Sequence, residues 1–102
     1  MMRKMWCLAI RIKRNDEFRG KRLQKALIDF LMGAKISGAT VWTSIDGFGK
    51  PGKSMRLEGI IINMPMIIEV IDERPKLDPL LPQIRRMTGD NGLVTLHEVN
   101  VI

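Results

Sequence analysis

Tyrosine is absent from this chain, and cysteine and histidine occur once each. Aromatic residues are limited to two tryptophans and three phenylalanines. Each scarcity excludes something. A single cysteine, Cys7, rules out an intrachain disulfide and any multi-cysteine metal centre, and a free thiol fits a reducing interior. A lone histidine, His97, cannot form a zinc site within one chain; three copies meeting on a symmetry axis would be its route to a metal, and packing or hydrogen bonding is its default role. Few aromatics, with no aromatic-rich strand of the RNA-reading type, argue against nucleic acid as a partner. No nucleophile–base pair is visible, so no catalytic residue is assigned and an enzyme is not expected. Long apolar runs are missing too. The most apolar stretch, Gly59 to Ile71, carries Asn63, Pro65 and Glu69 and cannot span a bilayer. The opening MMRKMWCLAIRIKR has too short an apolar run before Arg11 for a signal-peptide core. These features together predict a soluble cytoplasmic protein.

What remains is ordinary for a globular domain: 45% hydrophobic and 27% charged residues in 102, a length suited to one domain over 1–102. Charge is less ordinary. Lysine and arginine number 17 against 11 acids, a net charge of +6. Seven of the basic residues (Arg11, Lys13, Arg14, Arg19, Lys21, Arg22 and Lys25) lie between Arg11 and Lys25, against only Asp16 and Glu17. Such a cluster attracts phosphates, or it is simply a solvated face.

The periodicity predicts six elements. Met5–Ile12 alternates as a strand, with Trp6, Leu8, Ile10 and Ile12 on one face. After the polar RNDEFRG, the residues Leu23, Ala26, Leu27, Phe30, Leu31 and Ala34 recur at helical spacing, and Gly33 stands near the end. Ala39–Asp46 is a β-branched strand, and Met55–Asn63 a third extended run that Met64-Pro65-Met66 interrupts before Ile67–Ile71. Pro75–Met87 is a second helix with Leu77, Leu80, Leu81, Ile84 and Met87 buried; Pro82 within the stripe suggests a start near Asp78. Thr88-Gly89-Asp90-Asn91-Gly92 stops it, and Leu93–Ile102 is the last strand. The order β-α-β-β-α-β is the α+β, ferredoxin-like split βαβ arrangement: a four-stranded antiparallel sheet with two helices on one face. The isoleucines of the third run lie on both alternate faces, so the uncovered sheet face is expected to pack against another copy of the chain.

The block FRGKRLQKALIDFLMGAKISGATVWTSIDGFGK (Phe18–Lys50), with MIIEVIDE (Met66–Glu73), resembles an uncharacterised PII-like family across nearly the whole chain. The resemblance implies the fold of the nitrogen-regulatory PII proteins: a homotrimer that binds adenine nucleotides between subunits and reports them by docking onto a transporter or enzyme. Gly47-Phe48-Gly49 matches the PII segment where strand two meets the signalling loop, and Thr88-Gly89…Gly92 resembles the loop that faces the nucleotide from a neighbouring subunit. The departures are specific. Without tyrosine, the uridylylation of some PII proteins is excluded. Leu93 follows Gly92 where PII proteins offer a phosphate-binding lysine, and the tail HEVNVI lacks their arginines, so AMP or ADP fits better than a triphosphate.

The glycine segment SIDGFGKPGKS satisfies the Gly-x4-Gly-Lys-Ser pattern of a P-loop through Gly47, Gly52, Lys53 and Ser54. The β-like MRLEGIIIN that follows removes the helix such a loop requires. Two readings stay open: a hairpin loop, or a PII-like ligand loop. In the second, Gly47, Phe48, Gly49 and Lys50 meet phosphate, and Lys50, Pro51, Gly52, Lys53 and Ser54 dock a partner. Thr88, Gly89 and Gly92 are either a helix stop or the second wall of the cleft. The expectation is a PII-like homotrimeric regulator. The alternatives are an RNA-binding ferredoxin-like module and a metal-linked trimer like the CutA proteins. Asp72, Glu73 and Asp78 read as acids at a helix start; Trp6 and Trp42 read as core residues, and Cys7 as an inert core thiol.

Overall fold

A computed structural model describes residues 2–44, 56–57, 60–61 and 63–102. Its main sheet has four strands: β1 (Arg3–Lys13), β4 (Thr40–Thr43), β7 (Pro65–Asp72) and β8 (Leu93–Val101), in the order β4-β7-β1-β8. Every pairing among them is antiparallel. Helix α1 (Leu23–Gly33) and the helical segment from Arg74 to Thr88 cross over between the strands, which is the ferredoxin-like topology. No helix among the described residues is long and apolar enough to cross a membrane.

Strand alternation decides which side chains meet the helices. Leu8, Ile10 and Ile12 of β1 and Met66, Ile68 and Val70 of β7 point to the helical side. There they pack with Leu23, Ala26, Leu27 and Leu31 of α1 and with Leu77, Ile84 and Met87. The apolar stripes expected from the sequence are thus the buried ones; Phe30, Leu80 and Leu81 flank the cluster, half-buried.

Three details differ from the expectation. The polar stretch after β1 is not a plain loop: β2 (Glu17–Phe18) and β3 (Lys21–Arg22) form a short hairpin against α1. Asp16 anchors its base, accepting the Lys13 N–H on its carboxylate at 2.9 Å and the Leu23 N–H on its carbonyl at 2.8 Å. The isoleucine-rich run contributes β5 (Arg56–Leu57) and β6 (Ile60–Ile61), which pair with each other, and the third strand of the main sheet begins only at Pro65. Proline is tolerated there because a first strand residue need not donate to the ladder. The second helix is segmented into α2 (Arg74–Leu77), a 3-10 turn (Asp78–Leu80) and α3 (Leu81–Thr88), because Pro79 and Pro82 each remove a donor. Helix α1 ends at Gly33, as its place near the end of the pattern suggested, and Lys35 closes the cap beyond it. Lys35 has φ 61°, and the Ile36 N–H reaches back to the Leu31 carbonyl at 3.3 Å, closing a Schellman-type cap.

A left-handed cap normally belongs to glycine, since a Cβ there crowds the following carbonyl. Lys35→Gly is therefore expected to stabilise the fold by about 1 kcal/mol, read as a higher urea midpoint with an unchanged slope.

Candidate functional site

The described part of the expected site is the turn after α3. Gly89 has φ 60° and ψ −150°, a conformation open in practice only to glycine, and its N–H caps the helix on the Arg85 carbonyl. Thr88 is buried and donates its hydroxyl to the same carbonyl at 3.3 Å. Arg85 donates to the Gly89 carbonyl and lies 3.9 Å from Asp90. Gly92 closes the turn under contact: a Cβ there would sit 2.7 Å from the Thr88 Cβ and 3.4 Å from the Arg11 carbonyl oxygen. Thr88, Gly89 and Gly92 are therefore brought together, as a helix cap packed on the end of β1. The other expected residues, Gly47, Phe48, Gly49, Lys50, Pro51, Gly52, Lys53 and Ser54, lie outside the described residues.

Sheet order fixes where these parts stand. Ser44, whose N–H donates to the Pro65 carbonyl at 3.0 Å, ends β4 on one edge. The Thr88–Gly92 turn leads into β8 on the other. Both stand at the same end of the sheet, because Thr43 pairs with Met66, which pairs with Ile12, while Leu93 pairs with Arg11. Three strand spacings, roughly 14 Å, separate the two edges within one chain.

A cavity of about 350 Å3 opens on the β4 edge, lined by Ser37, Gly38, Ala39, Thr40, Glu69 and Ile71. Thr40 and Glu69 are paired in register. Both project to the face away from the helices, as does Ile71 two residues on. The Gly-Ala-Thr stretch was visible in the sequence only as the entry to a strand; nothing local showed that Glu69, thirty residues away, would stand beside it.

The wall of this cavity is held by Asp72, which is 3% exposed. Its carboxylate accepts the N–H and hydroxyl of Ser37, both at 3.4 Å, and the N–H of Glu73 at 2.8 Å, with the Lys76 ammonium at 3.8 Å. Burial alone would raise its pKa. The backbone donors of Glu73 and Ser37, with the Lys76 charge, outweigh burial and hold it below the ordinary value of 3.8. Asp72 thus belongs to a tertiary clamp, whereas the sequence showed only an acid before a helix.

On the same open face, Trp42, Ile67, Arg11 and Leu93 form one row across the sheet by register, and Ile71, Cys7 and His97 form another. Trp42 is 57% exposed, against the expectation of core packing, while half-buried Trp6 packs on the core beneath the Arg74 guanidinium, 4.5 Å from its ring centre. Cys7 is buried; burial and the Glu69 charge push its thiol up, with Arg11 opposing, so it is a poor nucleophile at neutral pH. His97 is exposed, and among the described residues no three His, Cys, Asp or Glu side chains converge as a metal site.

Comparison with known proteins places the chain. It belongs to the DUF190 family, described as uncharacterized ACR, whose model matches residues 5–101. A UPF0166 protein of Methanocaldococcus jannaschii is 31% identical over 95 residues, covering 92% of this chain and 88% of that one. One from Aquifex aeolicus is 33% identical over 97 residues, covering 93% and 90%. Among solved structures, CPII from Thiomonas intermedia, a nitrogen regulatory PII-like protein bound to ADP, AMP and bicarbonate, superposes with a TM-score of 0.73 at 18% identity, covering 99% of this chain and 96% of that one. A CPII structure bound to ADP and bicarbonate gives 0.75 at 18% identity, covering 99% and 91%. The fold is PII-like.

Asp72→Asn is expected to cost about 1–3 kcal/mol. The folded-state pKa is depressed, so the stabilisation from Asp72 is complete above the unfolded value of 3.8 and fades as pH falls through the folded value. Urea titrations between pH 7 and pH 2.5 should show an acid loss in the native protein that is smaller in the variant. Gly89→Ala forces a side chain into a glycine-only conformation and should lower stability by about 1–3 kcal/mol, measured by thermal melting.

Proposed function

We propose that this DUF190 protein is a PII-like homotrimeric regulator. It binds a small adenine nucleotide in a cleft between subunits and acts in the cytoplasm by docking onto a partner, without covalent chemistry. The observation that carries this reading is the division of the candidate site between the two edges of one sheet. The Ser37–Thr40 and Glu69 cavity and the end of β4 lie on one edge, and the Thr88–Gly92 turn lies on the other. One chain cannot close a small ligand between them; the β8 edge of a second chain laid beside β4 can. The open face supports the assembly. The helices cover one side of the sheet, while Trp42, Ile71 and Leu93, 57%, 40% and 58% exposed, stand on the other. Large apolar residues gathered on one face of a small domain are the mark of an interface.

The chemistry of the cavity suits an adenine base. Glu69 offers carboxylate oxygens to an exocyclic amine, Thr40 a hydroxyl that can donate or accept, and Ile71 an apolar wall for the ring. A carboxylate at that position repels the carbonyl edge of guanine. The CPII structures that share the fold hold ADP and AMP. The tail here brings no arginine, and Leu93 brings no charge, so the phosphate end is the weaker half of the site and a monophosphate or diphosphate is favoured over a triphosphate. Bound nucleotide would then change how the Gly47–Ser54 segment presents Lys50 and Lys53 to the partner.

Isothermal titration with AMP, ADP, ATP and cyclic nucleotides tests this reading. Saturable binding of AMP or ADP is expected, weaker for ATP, with Glu69→Ala reducing the affinity at least about tenfold. The absence of heat and of any thermal shift with all of them would overturn it. Sedimentation should give a trimer, and Trp42→Glu with Ile71→Glu should shift it toward monomer.

A further inference from the structure

We propose that the β2–β3 hairpin and the outward side of α1 form a docking surface for an acidic peptide segment carrying one apolar anchor residue. The surface belongs to the helical layer and is independent of the nucleotide reading.

The hairpin and the start of α1 carry much of the chain's positive charge. Of the seven cations from Arg11 to Lys25, Arg11 faces the open side of the sheet and Lys13 is buried, which leaves five near the hairpin, with Asp16, Glu17 and Asp29 as the acids beside them. Arg14, Arg19, Lys21, Arg22 and Lys25 are all exposed. A solvated face needs no such imbalance; like charges this close repel, and a partner of opposite sign relieves the repulsion.

The hairpin also has a shaped recess. A cavity of about 410 Å3 lies beneath it, walled by Phe18, Ala26, Phe30 and Met87 and rimmed by Arg19, Lys21 and Asp29. An apolar floor whose rim carries two cations to one acid fits a hydrophobic side chain with a carboxylate on the Arg19 side. It fits nucleic acid poorly: Phe18 and Phe30 are half-buried against the core, and the Arg19 guanidinium already lies over the Phe18 ring where a base would stack. Asp29 bridges Lys21 at 3.3 Å and Lys25 at 3.7 Å and disfavours any anion on its own side, so the carboxylates of the peptide are left to Arg19 and to the outward protons of Lys21.

The turn supplies the independent observation. Arg19 and Gly20 both have positive φ, 52° and 78°, the pattern of a type I′ hairpin turn. The first of these positions favours asparagine or glycine, yet it holds arginine. The strained backbone carries the guanidinium to 5.1 Å from the Phe18 ring centre, on the rim of the recess. An arginine where the turn prefers asparagine or glycine thus places a cation on the rim of the recess.

Fluorescence anisotropy on the full chain, with a labelled short peptide of glutamates around a central phenylalanine, tests the proposal. Saturable binding is expected, at least about tenfold weaker when the central residue is alanine, and weaker by a similar factor for Lys21→Glu and Arg19→Gly. Arg19→Gly places the residue this turn prefers, so its melting temperature should match or exceed the native one and its loss of binding cannot be unfolding. Equal binding of the phenylalanine and alanine peptides, no effect of Arg19→Gly, no binding at all, or displacement of the peptide by oligouridine or anionic vesicles at lower concentration would each overturn it.

Discussion

Two helical segments can cover only one face of a four-stranded sheet, and among the described residues α1 and the Arg74–Thr88 segment both lie on the same side. The consequences run through the whole molecule. On the covered side, Leu8, Ile10, Ile68 and Val70 are excluded from water almost completely. On the other side, the central strand presents small or adaptable residues, Cys7, Ala9 and Met5, which their neighbours bury. The larger apolar residues Trp42 and Leu93, on the two edge strands, and Ile71, on β7, remain exposed. The apolar surface left open therefore runs across the whole face that the helices do not cover.

The same constraint places the cavity. β4 has only four residues and pairs with β7 alone, so the chain arriving from α1 runs along an unpaired edge. Something must fix that segment, and Asp72 does so from the end of β7, taking both donors of Ser37. Because the clamp joins residues 35 positions apart, the wall of the cavity is set by tertiary hydrogen bonding and not by the strand that follows it. Burying a carboxylate is costly, and here backbone N–H groups and the Lys76 charge offset the cost. The cavity is accordingly held in place on the side of Asp72 and polar on the side of Glu69.

How far the sequence revealed this depends on the range of the interactions. The order of the main elements was legible because Trp6-Leu8-Ile10-Ile12 repeats at two and Leu23-Ala26-Leu27-Leu31 at three and four, periods set by the backbone itself. The β2–β3 hairpin was not legible: its strands are two residues each, and its turn is Arg-Gly where the usual signal is Asn-Gly. The isoleucine run, interrupted at Met64-Pro65-Met66, read as part of the third strand because period shows that a segment is extended but not which strand it pairs with; β5 and β6 pair with each other. The Thr88–Gly92 turn was legible as a helix stop, since glycine's freedom is local. The Thr40–Glu69 pairing and the Asp72 clamp were not, because they exist only across the sheet.

Two residues break local preference in the same way, and the difference between them is instructive. Lys35 and Arg19 both hold a left-handed backbone that glycine would hold more easily. At Lys35 the geometry is what the fold needs: it ends α1 and turns the chain toward Ser37 and the cavity wall, while the lysine itself stays in solvent. Any residue able to adopt that φ would serve. At Arg19 the hairpin would likewise close with glycine, but the recess would then lose the cation above its aromatic wall. The path of the chain explains the φ at both positions, a helix end at one and a two-residue hairpin turn at the other. What differs is the side chain: solvated at Lys35, and at Arg19 laid over the Phe18 ring, where it adds to the packing of the hairpin on the core.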